Sequence, residues 1–317
     1  MREPQVARRP LLLAALALLL VAPLLFRAGW TSVLSAAFLL EFLSAGRVPA
    51  LTAITPEPVR APLPVPGVAA DLYTGAECAG DGWRGRACSL VLVHGLAPAG
   101  KDDPRLGRAA RLLARTGAAV AVPTVPGLTR LSLDAEDVEA VVATIAAMPA
   151  PVRVVGISVG AGPALLAAAD PRVRDRVALV LSLGGYASAR ELARFYVTGH
   201  PDLARRFAEA NPDLMDPTAR RALATGDLEH LSPALRRRFD ALSPARVVAD
   251  LRARLLIVHG RDDPAVPFTE SLRLAAAARA LRPRVVIVGA IAHVEGGGHR
   301  RILDLLLLWA ITRELLV

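Results

Sequence analysis

Six short, almost wholly apolar runs rich in β-branched residues, separated by segments of helical periodicity, constrain this chain more than any other feature. They read "SLVLVHG" (89–95), "AAVAVPTVPG" (118–127), "VRVVGIS" (152–158), "VALVLSLGG" (177–185), "RLLIVHG" (254–260) and "RVVIVGA" (284–290). Strands that do not alternate polar with apolar are covered on both faces, which is the signature of a parallel sheet. Between them "PRLGRAARLLARTG" (104–117) and "LDAEDVEAVVATIAAM" (133–148) carry amphipathic helical spacing. The expected architecture is α/β, a mostly parallel sheet with helices on both faces. No repeat of fixed period is present. At 317 residues one such domain with an appendage accounts for the length.

One interval breaks the alternation. Residues 187–252 hold short helical pieces rich in Arg, Asp and Pro and no strand. Inserted after a strand's C-terminal end, they would cover the edge where open α/β sheets bind ligands, so they read as a lid.

The first 46 residues read differently. Arg2, Arg8 and Arg9 precede "LLLAALALLLVAPLLF" (11–26), which is uncharged and closed by Arg27. The layout fits a membrane segment or a signal peptide. No small-x-small cleavage site follows the apolar core, which favours an uncleaved signal anchor. The positive flank then predicts a cytoplasmic N-terminus and an extracytoplasmic body. A second apolar run up to Gly46 contains Glu41 and is short, so it reads as a helix at the interface rather than a second span. Residues 47–67, proline-rich and aperiodic, read as an extended linker to a domain at 68–317.

Composition supports membrane contact more than nucleic-acid binding. Hydrophobic residues make up 53% and mean hydropathy is +0.41. The net charge of +9 is carried by arginines spread along the chain, with Lys101 the single lysine. Aromatics are 4% and do not interleave with an arginine cluster, so a nucleic-acid partner is not expected. Cys78 and Cys88 flank a Gly-rich polar stretch read as a hairpin tip. Their spacing suits a disulfide, which persists in oxidising compartments. With no third cysteine and no Cys-x-x-Cys or histidine spacing, neither a metal nor a cofactor is expected.

"VVGISVG" ends a strand with one serine between two glycines, and "AGPALLAAAD" then starts a helix. A nucleophile projecting from a strand end needs a tight, strained turn, and side chains two residues to either side would collide there. Gly156 and Gly160 meet that need for Ser158, and Gly162 keeps the helix close to the sheet. The helix start also points its positive end at developing negative charge. A serine hydroxyl needs a base, and the base an orienting carboxylate, in the chain order Ser, acid, His for this kind of sheet. Asp262 or Asp263 follows one strand and His293 the next; His299 lies inside what reads as the last helix and suits the role less. His94-Gly95 at an early strand end lets backbone approach the serine. The Leu96 amide, with Ala97 as substitute, would then join that of Val159 in an oxyanion hole. His94 and His259 read as structural, and His200 and His230 as solvated lid residues.

"LVLVHG", "GISVG", "IVHGRDDPAVP" and "AHVEGG", in that order, resemble the α/β-hydrolase superfamily over about residues 68–317, with a lid placed as in capped esterases and lipases. The resemblance implies Ser158 as nucleophile, His293 as base and Asp263 as acid, the last because His259, Gly260, Asp263, Val266 and Pro267 match a family pattern. It departs at Ala292-His293, where many members read Gly-His. The implied activity is a membrane-anchored serine hydrolase acting on small-molecule esters. The competing reading is a catalytically silent binding or scaffold protein on the same fold.

Overall fold

The computed structural model describes residues 29–75, 88–132, 136–292 and 302–316. Eight strands form one sheet in the order β1-β2-β4-β3-β5-β6-β7-β8. They are β1 (Val59–Pro62), β2 (Ala70–Thr74), β3 (Ser89–Val93), β4 (Ala119–Pro123), β5 (Val152–Ile157), β6 (Val177–Leu183), β7 (Arg254–Gly260) and β8 (Arg284–Val288). From β4 to β8 every pairing is parallel, so these strands end at one edge of the sheet. β1 and β2 join antiparallel at one side.

The alternation of Cβ directions sorts the central strands onto two cores. Val91, Val93, Val152 and Val154 face a layer that includes Leu165, Leu274 and Ile145. Leu90, Leu92, Val155 and Leu256 face the other, with Leu106, Leu113, Leu308 and Ile311. The second layer consists of α1 (29–43), α2 (Pro104–Arg115) and α11 (Ile302–Leu316). The first is built chiefly from α4 (Glu136–Ala147), α5 (Ala161–Ala169) and α10 (Thr269–Ala277), with the short α3 (Pro126–Arg130) at the sheet edge. Between β6 and β7 lie α6 (Ala189–Gly199), α7 (Pro201–Ala210), α8 (Pro217–Thr225) and α9 (Pro233–Ala241). They share a third apolar cluster around Leu235, Phe239 and Tyr186 that reaches Val159 and Val266 at the sheet edge.

Two expectations change. The stretch 47–67 is not a bare linker, because it carries β1, and the folded body begins at α1 rather than at residue 68. Prolines conceal β1 in the sequence, yet an edge strand tolerates them since half its amides face away from the ladder. The strands that flank the Cys78–Cys88 stretch, β2 and β3, are not neighbours as a hairpin would require, because β4 lies between them in the sheet. Cys88 is disulfide-bonded, while Cys78 lies outside the described residues. Among the described residues no helix is long and apolar enough to cross a membrane, and the 11–26 run lies outside them. The second apolar run forms α1, which packs Leu39 and Leu43 into the core along one face.

Glu41, the one charge in that run, has a local purpose. It is buried and accepts hydrogen bonds from the Leu51 and Thr52 amides (2.8 and 2.9 Å) and the Thr52 hydroxyl (2.6 Å). It thereby fixes the turn that follows α1. His94 straps the sheet edge in a similar way. Its Nδ1–H donates to the Gly95 carbonyl (2.7 Å), and its Nε2 accepts from the Val125 amide (2.9 Å). Both bonds together require the neutral ring. Burial lowers the His94 pKa further below its ordinary value, against a smaller raising effect of the Gly95 carbonyl.

Glu41→Ala strands two backbone donors and should cost about 2 kcal/mol in chemical denaturation. For His94 the unfolded ring titrates near ~6.5 and the folded ring lower, so the unfolded state binds more protons between the two values. Stability is therefore complete above about pH 6.5 and falls as pH drops towards the folded pKa. Urea midpoints between pH 7.5 and 5 should decline more steeply for the native chain than for His94→Gln, at no more than about 1.4 kcal/mol per pH unit for this residue.

Candidate active site

The turn after β5 sets the geometry. Ser158 has φ +54°, the left-handed region that non-glycine residues seldom occupy. It opens a 3-10 turn at Ser158–Gly160 that runs directly into α5. Glycine is required on both sides. A Cβ on Gly160 would lie 2.0 Å from the His94 carbonyl oxygen, and one on Gly156 2.5 Å from the Ala161 Cα. A Cβ on Gly162 would meet the Tyr186 hydroxyl at 2.1 Å. The elbow, the β3 exit and the α5 helix are thus locked together by backbone contacts that no larger residue permits.

His94 and Gly95 bring the β3 exit against this turn, as a Cβ on Gly95 would stand 3.0 Å from that of Ser158. The next two amides differ in availability. Ala97 donates to the Leu128 carbonyl (3.2 Å) and so does not serve as the substitute donor. Leu96 has no backbone acceptor among the described residues. Val159, in the first turn of the helix, has no intrahelical acceptor either. Two amides at the head of the cleft can therefore point at a developing oxyanion.

The loop after β7 carries the carboxylates. Asp262 is exposed, whereas the Asp263 side chain is fully buried. Asp263 Oδ1 accepts from the Ala265 and Val266 amides (2.8 and 3.0 Å), and its Oδ2 lies 3.4 Å from His259 Nε2. His259 is itself fixed, with Nε2 donating to the Val266 carbonyl (2.9 Å) and Nδ1 against the Ser271 hydroxyl (2.6 Å). Like His94, it positions a loop. His293 and His299 lie outside the described residues.

A cavity of about 460 Å³ opens over Ser158, lined by Leu96 and Ile157, by Phe42 of α1, by Arg108 of α2 and by Tyr196 and His200 of the lid. A second, of about 120 Å³, runs beneath the lid past Leu96 and Val159 to Leu192, Phe207 and Phe239. Two lid residues therefore line the site, His200 and Tyr196, of which the sequence singled out only the first. His200 is exposed, in keeping with its reading as solvated, and also donates through Nε2 to the Pro264 carbonyl (3.2 Å), which ties the lid to the loop after β7. Tyr196 borders both cavities; burial, with the nearby Asp263 charge adding to it, pushes its phenol well above the ordinary range. Only the aromatic pair "FY" followed by His200 hinted at this, and nothing in the spacing pointed it inwards. His230 is exposed and faces Asp227. Among the described residues no cluster of acidic, histidine or cysteine side chains could hold a metal ion.

Similar folds occur among solved structures. A 2,6-dihydroxy-pseudo-oxynicotine hydrolase matches at TM-score 0.52 and 21% identity, over 84% of this chain and 69% of that one. The acylaminoacyl peptidase of Pyrococcus horikoshii matches at TM-score 0.52 and 17% identity, covering 75% of this chain and 38% of the peptidase. A puromycin-hydrolyzing peptidase of Mycobacterium tuberculosis matches at TM-score 0.50 and 20% identity, over 73% and 35% of the two chains. This chain spans little more than a third of either peptidase. No curated protein sequence matches it. The model of the alpha/beta hydrolase family matches residues 90–306, from β3 into α11, in agreement with the strand order and the serine turn, and the chain belongs to that family.

Proposed function

We propose that the protein is a serine hydrolase that cleaves carboxylic esters with an apolar acyl group, held at a membrane by its N-terminal segment. The observation that carries the reading is Ser158 at positive φ, on the turn where β5 meets α5 and at the floor of a cavity. Strain of this kind persists at sites where a side chain must be presented.

In this reading Ser158 Oγ attacks the ester carbonyl carbon while His293 takes its proton, and the Leu96 and Val159 amides receive the oxyanion. Collapse expels the alcohol, which takes the proton from His293. Water, deprotonated by the same ring, then cleaves the acyl-enzyme and releases the acid. Asp263, held by two amides, would orient the ring and stay ionised. The narrow apolar cavity past Leu96 and Val159 supports an acyl chain rather than a charged group, since charge there would lose its hydration. An oxidising compartment is supported by the disulfide at Cys88, and with it a body outside the cytoplasm, anchored through residues 11–26.

The test is turnover of p-nitrophenyl esters of graded chain length. Ser158→Ala should lower kcat on the order of 10⁵-fold or more. Asp263→Asn should lower it roughly 10⁴-fold with KM little changed, whereas Asp262→Asn should leave both near the native values. A folded protein that turns over none of these esters would favour the binding-module reading instead.

A further inference from the structure

The solvent-facing sides of α1 and α11 invert the usual pattern of a surface helix. Every exposed residue of α1 is apolar or glycine: Gly29, Trp30, Val33, Ala36 and Leu40. Their spacing of three and four residues makes one stripe along the helix. In α11 the exposed residues are Ile302, Leu303 and Leu306, the first two 79% and 65% exposed. Trp309, one turn on from Leu306, donates its indole N–H to the Ser32 carbonyl of α1 (3.1 Å), so the two stripes adjoin. Their inward faces are already packed on the core. A contiguous apolar surface of this kind signals something that covers it.

We propose that the α1–α11 face lies against a lipid bilayer at headgroup depth. The chain that enters α1 indicates the occupant: residues 11–26 are an uncharged apolar run bounded by Arg8, Arg9 and Arg27, and Arg27 is three residues before Trp30. A membrane that takes up this run is at the stripe. Trp30 has the amphipathic ring suited to that depth. Arg108 donates to the Ala45 carbonyl (3.0 Å), which places its exposed charge beside the end of α1, where anionic headgroups would attract it. Arg105 and Arg111, exposed on the same helix, face Asp103 and Glu57 (3.2 and 3.7 Å) and add less. A second copy would have to share this edge with two such runs. The surface assigns a lipid contact to the folded body, beyond the anchor, and does not depend on the chemistry at Ser158. It also sets the cavity wall formed by Phe42 and Arg108 next to lipid.

The test uses the full chain with an environment-sensitive dye on Leu303→Cys, and separately on Val33→Cys in case the first variant folds poorly. Cys88 is in a disulfide, which leaves the introduced thiol for labelling. Ala146→Cys, exposed on α4 across the sheet, is the control. On vesicles of phosphatidylcholine and phosphatidylglycerol, the labels at 303 and 33 should shift to the blue and be quenched by brominated acyl chains. The label at 146 should keep its aqueous emission in the same floated fraction. A chain that floats while label 303 stays aqueous overturns the proposal and leaves the anchor standing. A 303 label that shifts with protein concentration and no vesicles overturns it in favour of a second copy. A chain that does not float overturns both.

Discussion

Everything at the sheet edge depends on one unfavourable backbone conformation. Ser158 at φ +54° costs on the order of 1–3 kcal/mol relative to an ordinary turn and is held only because its surroundings permit no alternative. Gly156 and Gly160 let β5, α5 and the His94 carbonyl close around it at distances no side chain survives. The neutral ring of His94, bonded at both nitrogens, fixes the β3 exit that forms the other wall. The serine is presented by compression from three elements, and its exposure to the cavity follows from that.

The loop after β7 is held by a different device, a chain of satisfied buried polar groups. Ser271, His259, the Val266 carbonyl and Asp263 occupy consecutive positions between α10 and the loop after β7. Glu270, next in sequence to Ser271, accepts from the Ala187 and Ser188 amides at the root of the lid (3.0 and 2.9 Å). Displacement of α10 would therefore move both the carboxylate and the lid. His200, reaching from the lid to Pro264, closes the same circuit from above. Such networks are costly when partly broken, which favours their acting as a unit.

How much of this was legible follows from the range of the forces involved. The six parallel strands carry their own pattern of continuous apolar residues, and the glycines around Ser158 answer a clash visible within five positions of sequence. β1 was hidden because a short antiparallel edge strand ending in proline carries no continuous apolar run. Asp262 and Asp263 could not be told apart by sequence position alone, since what distinguishes them is burial, the first being exposed and the second enclosed. Tyr196 and His200 were missed because a lid's inward face is defined by a third cluster, around Phe239, that forms only after residues far apart in the chain meet. Glu41 hid its purpose in a simpler way: a charge in an apolar run gives no sign that it accepts from the amides of the turn that follows the helix.

The central claim is that the hydroxyl at 158 becomes covalently acylated. Rapid acid quench of the full chain during turnover of a p-nitrophenyl ester, followed by peptide mass spectrometry, reads this directly. Acylation of Ser158 predicts a burst of nitrophenol and the acyl mass on the peptide containing Ser158, absent in Ser158→Ala. Ester hydrolysis with that peptide unmodified, or the acyl group found on another residue, would contradict it.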